Sequence, residues 1–246
     1  MARKLPVRKV IFEAFLIPWR GRERFVEALT LPLTAIFALT ISWHYGADYL
    51  SDRSSWLLYF VSSVLFVVFA VTCHRLVLIP PTAHSSKVRP HWTLREVLFL
   101  FWTGVLGLVV VVVEAVVGTV LLNFVPGVEV KPNQESFQWI MSASRILGLY
   151  LFSRLCFVLP ATALGKMPSF KWAWRQTKGN GWRLFAVVTV VPWALSWVIG
   201  LLWRDTATSF ETVTLTFVGT ALLIVEVAAL SLSFRELMPK ESSVDG

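Results

Sequence analysis

The sequence predicts an all-α polytopic membrane protein. Six transmembrane helices form three repeated helical hairpins, with interfacial helices on the cytoplasmic side. Three observations carry this. Only 15% of the 246 residues are charged and 56% are hydrophobic, whereas a soluble domain carries about 25% charged residues. Six apolar runs are each long enough to cross a bilayer, which takes about 20 helical residues. Lysines and arginines crowd into alternate connections between those runs. Residues 1–246 read as a single integral membrane domain.

The chain opens with the basic stretch "MARKLPVRKV". No short apolar run with a small-residue cleavage site follows it, so no cleaved signal peptide is expected. Residues 7–25, "VRKVIFEAFLIPWRGRERF", mix aromatic and basic side chains. They are expected to lie along the membrane surface, broken at Pro18. The first span, 27–45, is short and holds Pro32; neighbouring helices can satisfy the carbonyl that such a proline frees. His44, Asp48 and Asp52 beyond it read as an exposed helix end rather than a cation site. The second span covers 55–78. The third, 97–122, contains "GVLGLVVVVVEAVVGTVLL", in which Gly104 and Gly107 are expected to admit a close helix neighbour.

The fourth span, 137–160, is expected to end at Pro160. A second surface helix is predicted in 167–185, "MPSFKWAWRQTKGNGWRLF", starting at Pro168 and stopping at Gly179. Phe170, Trp172 and Trp174 would face lipid, with Lys171, Arg175 and Lys178 nearer the headgroups. The fifth span, 184–203, tolerates Pro192 as the first tolerates Pro32. The sixth covers 210–234.

Charge gives the orientation. Arg3, Lys4, Arg8, Lys9, Arg20, Arg22 and Arg24 precede span one. Lys87, Arg89 and Arg95 lie between spans two and three, and Lys166, Lys171, Arg175, Lys178 and Arg183 between four and five. The other connections hold only Arg53, Lys131 and Arg204. Both termini are therefore expected in the cytoplasm. Tryptophans fit two headgroup belts: Trp43, Trp56, Trp139 and Trp203 outside, Trp19, Trp92, Trp172, Trp174 and Trp182 inside. Trp102 and Trp193 sit deeper, where helix packing is expected to hold them. The net charge of +8 does not point to nucleic acid, because it clusters beside spans. It predicts anionic lipid headgroups as partners, at about 1 kcal/mol per cation near the surface.

A short motif recurs. "HRLVLIPPTA" places Arg75 six residues before Pro81, and "SRLCFVLPATA" places Arg154 six before Pro160. Arg235 in "SFRELMP" precedes Pro239 by four. The odd spans also enter alike, through "GRERFVEALTLPL", "TLREVLFLFWTGV" and "GWRLFAVVTVVPW". This reads as three parallel hairpins of about 80 residues. Arg154 lies about 9 Å from Pro160 along a helix, near enough for its side chain to snorkel to the surface.

Glu114, Arg145, Arg154 and Glu226 stand inside spans, where a lone charge costs roughly 2.5 kcal/mol or more at mid-span. Depth predicts two intramembrane ion pairs, Glu114 with Arg145 and Arg154 with Glu226. Nine residues separate the two arginines, about 900° of helix, which sets them on opposite faces. Such pairs lock helices together or line a polar pathway between hairpins.

Little in the sequence suggests an enzyme. His74, His84 and His91 read as solvated loop histidines, since their spacing fits no metal motif. Cys73 and Cys156 read as small buried residues. "ALGKMPS" lacks the glycine spacing of a phosphate loop. No catalytic residue, cofactor or metal is predicted.

The run from Arg154 to Phe185, "RLCFVLPATALGKMPSFKWAWRQTKGNGWRLF", resembles a segment of six-span bacterial inner-membrane proteins of unknown function. The shared features are the arginine, "LPATALGK" and W-x-x-T-K-G-N-x-W-R-L-F. The resemblance implies a bacterial cytoplasmic membrane and carries over no functional residue. The expected function is a non-enzymatic scaffold or accessory subunit that interacts with lipid or a membrane-protein partner. A small transporter or channel, using the intramembrane Glu and Arg residues, is the alternative. A membrane enzyme built on the inner-face histidines ranks last.

Overall fold

The computed structural model describes residues 4–46, 51–80, 92–124, 135–202 and 209–238, and only the backbone of 135–137. Secondary structure among them is entirely helical. The elements are α1 (Val7–Arg20), α2 (Arg22–Gly46), α3 (Asp52–Leu78), α4 (Leu94–Phe124), α5 (Glu135–Leu155), α6 (Val158–Ala163), α7 (Phe170–Gln176), α8 (Gly181–Phe185), a π-turn (Ala186–Val190), α9 (Val191–Leu202) and α10 (Ser209–Leu237). Six stretches are long and apolar enough to cross a membrane. They are α2, α3, α4, Gln138–Ala163, Gly181–Leu202 and α10. The six predicted spans are thus present. Several helices run further than the apolar runs, because backbone hydrogen bonding continues after hydrophobicity stops.

Prolines act differently from expectation at three places. Pro18 lies inside α1, which runs on to Arg20; the break falls at Gly21, whose N–H bonds the Ile17 carbonyl at 3.1 Å. Pro160 does not end the fourth span but lies within α6. Lacking an N–H, it leaves the Cys156 carbonyl without its usual helical partner. The helix breaks there at Cys156–Phe157, and Leu159 N–H bonds Cys156 O at 2.9 Å instead. The end comes at Gly165, with φ of 80°, where Gly165 bonds Thr162 O and Lys166 bonds Ala161 O. That is a Schellman cap, and it explains "ALGK". Pro192 follows the π-turn. A ring there crowds the carbonyl four residues back, and a wider turn makes room.

The first and last helices meet at one end of the bundle. Lys9 pairs with Glu236 at 3.1 Å, and Arg235 reaches Glu13 at 3.5 Å. This end, called here the termini end, holds the core. Phe69, Phe99, Phe157, Leu184 and Leu232 are each less than 2% exposed. In α3 the buried run starts at Val67, and in α10 the longest one starts at Val227. The opposite half presents Trp56, Leu57, Phe60, Trp139, Trp193 and Trp197 on its surface. Trp193 is therefore not held by helix packing. Trp102 is: its ring lies 4.9 Å from Phe170. Phe170 and Trp172 pack inward rather than onto lipid, Trp172 lying 6.3 Å from Phe234.

Helix approach also uses glycines other than those expected. A Cβ at Gly104 or Gly107 would meet nothing within 4 Å. At Gly148 it would lie 3.2 Å from the Val110 carbonyl, and at Gly118 3.0 Å from Met141 Sδ. Those two residues bring α4 and α5 together as a hairpin.

Candidate functional site

Arg154 stands in the last turn of α5, where the proline-induced break turns the chain. Its side chain does not snorkel outward. The residue is only 8% exposed, because α7 and α8 fold over it. The guanidinium carbon lies 3.5 Å from the Trp174 ring centroid, a cation–π contact. Nη2 donates to the Trp174 carbonyl at 2.9 Å and Nε to Thr177 Oγ1 at 3.2 Å. The buried charge is thus met by a ring face, a carbonyl and a hydroxyl, with no carboxylate among the described residues paired to it.

The "TKGN" turn completes this arrangement. Thr177 Oγ1 donates to the Ala173 carbonyl at 2.9 Å, which ends α7. Gly179 takes φ of 79°, a conformation open to glycine. Asn180 Oδ1 accepts from Leu5 N–H at 2.8 Å, tying the first described residues to this turn. A Cβ on Gly181 would overlap the Tyr150 hydroxyl and lie 3.2 Å from Arg154 Cδ. Ser169 caps α7 by accepting from Trp172 N–H at 3.2 Å, so the helix starts at Phe170, two residues beyond the predicted Pro168. The spacing W-x-x-T-K-G-N therefore has a mechanical meaning. It docks α7 and α8 onto Arg154.

A second polar contact joins α3 to α10. His74 is 1% exposed rather than solvated. Its Nδ1 lies 2.7 Å from Ser231 Oγ. Ser231 donates its own proton to the Val227 carbonyl at 2.8 Å, so the ring donates from Nδ1. Phe99 of α4 packs on the ring at 5.7 Å. The histidine lies inside because residue 74 is still within α3, which runs to Leu78, and Ser231 of α10 satisfies it there. His84 and His91 lie outside the described residues, as does Asp48. Near His74, Glu96 accepts from the N–H and hydroxyl of Thr93 at the start of α4. This T-x-x-E capping box is legible in "TLRE". Cys73 and Cys156 are free and buried.

The arginines of the repeated motif end in three different environments. Arg154 is enclosed, Arg235 bridges to Glu13, and Arg75 Nε is buried with no hydrogen-bond partner among the described residues. Of the four intramembrane charges, Glu114 and Arg145 come together, with Nε 3.4 Å from Oε1. Arg154 and Glu226 form no ion pair or hydrogen bond with each other among the described residues. Glu226 is half-buried on α10. No group of three His, Cys, Asp or Glu side chains suited to a metal occurs among the described residues.

A cavity of about 810 Å³ opens at the termini end. Its floor includes Leu78 of α3, Trp172 of α7 and Phe234 of α10, and its rim carries Lys166, Gln176 and Arg235. No acidic side chain is among the described residues that line it. Two crevices of about 360 and 350 Å³ also occur between helices. One has Ser62, Ser63 and Thr103 between α3 and α4; the other has Thr40, Ser196, Thr216 and Thr220 between α2, α9 and α10. Neither is lined by Glu114, Arg145, Arg154 or Glu226. Comparison with family models, curated proteins and solved structures gives no match to this chain.

Proposed function

We propose a non-enzymatic scaffold of the bacterial cytoplasmic membrane that holds anionic phospholipid at its termini end. Both termini face the cytoplasm. The crevice beneath Lys166 and Arg235 carries this reading. Its apolar floor suits acyl chain, and its cationic rim suits a phosphate. Lysine and arginine near such a surface each contribute about 1 kcal/mol toward anionic lipid. The clustering of basic residues beside alternate span ends supports the orientation. The resemblance of Arg154–Phe185 to inner-membrane proteins supports the location.

Native mass spectrometry after gentle extraction tests the proposal. The wild-type protein should retain phosphatidylglycerol over phosphatidylcholine. Lys166→Gln with Arg235→Gln should cut that retention by about thirtyfold, since two losses of about 1 kcal/mol add and 1.4 kcal/mol is a factor of ten. Equal retention of both lipids, or no change in the variant, overturns the reading.

A transporter is the second reading, favoured by the Ser- and Thr-lined crevices of the opposite half. It predicts water reaching Thr216 or Thr103 from that side. Labelling of Thr103→Cys by a membrane-impermeant thiol reagent in intact vesicles distinguishes it: modification favours transport, and protection favours the scaffold.

A further inference from the structure

Glu114 and Arg145 sit on the α4–α5 hairpin between two points of close approach. Gly148 meets Val110 on one side of the pair, and Gly118 meets Met141 on the other. Val110, Glu114 and Gly118 are four residues apart in turn on α4; Met141, Arg145 and Gly148 are four and then three apart on α5, so each set lies on one face of its helix. The helices cannot separate locally, so the pair is held in place. Glu114 lies ten residues before the end of α4 at Phe124, about 15 Å by helical rise, and so within a hydrocarbon layer about 30 Å thick.

The pair is not enclosed. The Arg145 side chain is 66% exposed and that of Glu114 19%. A guanidinium has five N–H donors, and Nε lies 3.4 Å from the carboxylate. Lipid tails offer no acceptor for the remainder. Val111, Val112, Ile146 and Leu147 around it are exposed and apolar. The surface is thus hydrophobic with one oriented, net-neutral dipole at its centre.

We propose that a second copy of this chain covers this face, related by a two-fold axis along the membrane normal. Two copies inserted in the same direction present each residue at its own depth. Glu114 and Arg145 share one depth, so the two-fold sets each Arg145 against the partner subunit's Glu114. Four alternating charges result, with no net charge and with acceptors for the free donors. A two-fold interface requires such self-complementarity. Interhelical polar contacts are a recognised source of association where lipid removes the hydrophobic drive. The inference stands apart from the lipid crevice, which is at the termini end.

Single-molecule photobleaching of singly labelled protein in dilute liposomes tests it. The wild type should bleach in two steps. The double variant Glu114→Leu/Arg145→Leu should lower the two-step population at least tenfold. The exchange variant Glu114→Arg/Arg145→Glu keeps the pair and its self-complementarity, and should stay dimeric. A one-step wild type overturns the proposal, and so does a double variant that still dimerises. Should the double variant fail to fold, oxidative cross-linking locates the interface in the otherwise native chain. Ser142→Cys, exposed beside Arg145, should cross-link, and Trp193→Cys on α9 should not. The reverse pattern overturns the proposal.

Discussion

The two halves of this bundle are built by opposite rules. At the termini end, bulky apolar residues interlock with polar ones that find partners: Arg154 with Thr177 and Trp174, His74 with Ser231, Asn180 with Leu5. In the opposite half, aromatic side chains such as Trp56, Trp139 and Trp193 point away from the protein. The charged pair there, Glu114 and Arg145, lies at the surface of a hairpin. In lipid the hydrophobic drive between helices is absent, so packing and hydrogen bonds must hold them. Both are concentrated at one end. That end fixes the fold, and the other leaves surface for neighbours.

Substitutions at the Arg154 cluster should separate the halves most sharply. Arg154→Leu removes a cation–π contact and strands the Thr177 and Trp174 acceptors. It should cost about 3 kcal/mol, as charged hydrogen bonds and a desolvated cation–π contact suggest. Steric-trap unfolding in bicelles measures it. Arg154→Lys should recover little, since an ammonium cannot reproduce the guanidinium geometry.

Next comes Gly181→Ala, which overlaps the Tyr150 hydroxyl. Overpacking of this kind costs about 1–3 kcal/mol. Tyr150→Phe should relieve part of it in a double-mutant cycle. Gly104→Ala, in open space, should shift stability by no more than about 0.5 kcal/mol. Equal losses at Gly181 and Gly104 would erase the contrast. Ser231→Ala leaves His74 unpaired in the core and should cost about 1–2 kcal/mol by the same assay.

The charged pair predicts a smaller effect with a distinct sign. Arg145→Leu alone strands Glu114 in the membrane. Glu114→Leu/Arg145→Leu removes both charges and should be closer to wild type. A single variant no worse than the double one would show that the pair contributes nothing to folding.

Much of the fold was legible in the sequence because span length and apolar content follow from the bilayer itself. All six spans lie where hydropathy puts them. Local breaks were less legible. Pro18 and Pro160 predict the loss of a hydrogen bond, but whether the helix stops depends on what packs beside it. His74 was misread for a related reason: the sequence places it near a boundary, and only the neighbouring α10 supplies Ser231. Arg154 was visible as an unusual charge, and its link to "TKGN" lay in the quoted segment. The fold-back of α7 and α8, which makes Thr177 and Trp174 its partners, is a tertiary event that no periodicity encodes. The "TLRE" capping box is readable from its spacing alone.

One paired measurement tests the division between halves most directly. Phe157 is fully buried at the termini end, and Phe60 is 63% exposed in the opposite half. Phe157→Ala and Phe60→Ala remove the same atoms. Steric-trap unfolding should show a loss of about 3 kcal/mol or more for Phe157→Ala, and about 0.5 kcal/mol or less for Phe60→Ala. Comparable losses in the two variants would contradict a fold held from one end.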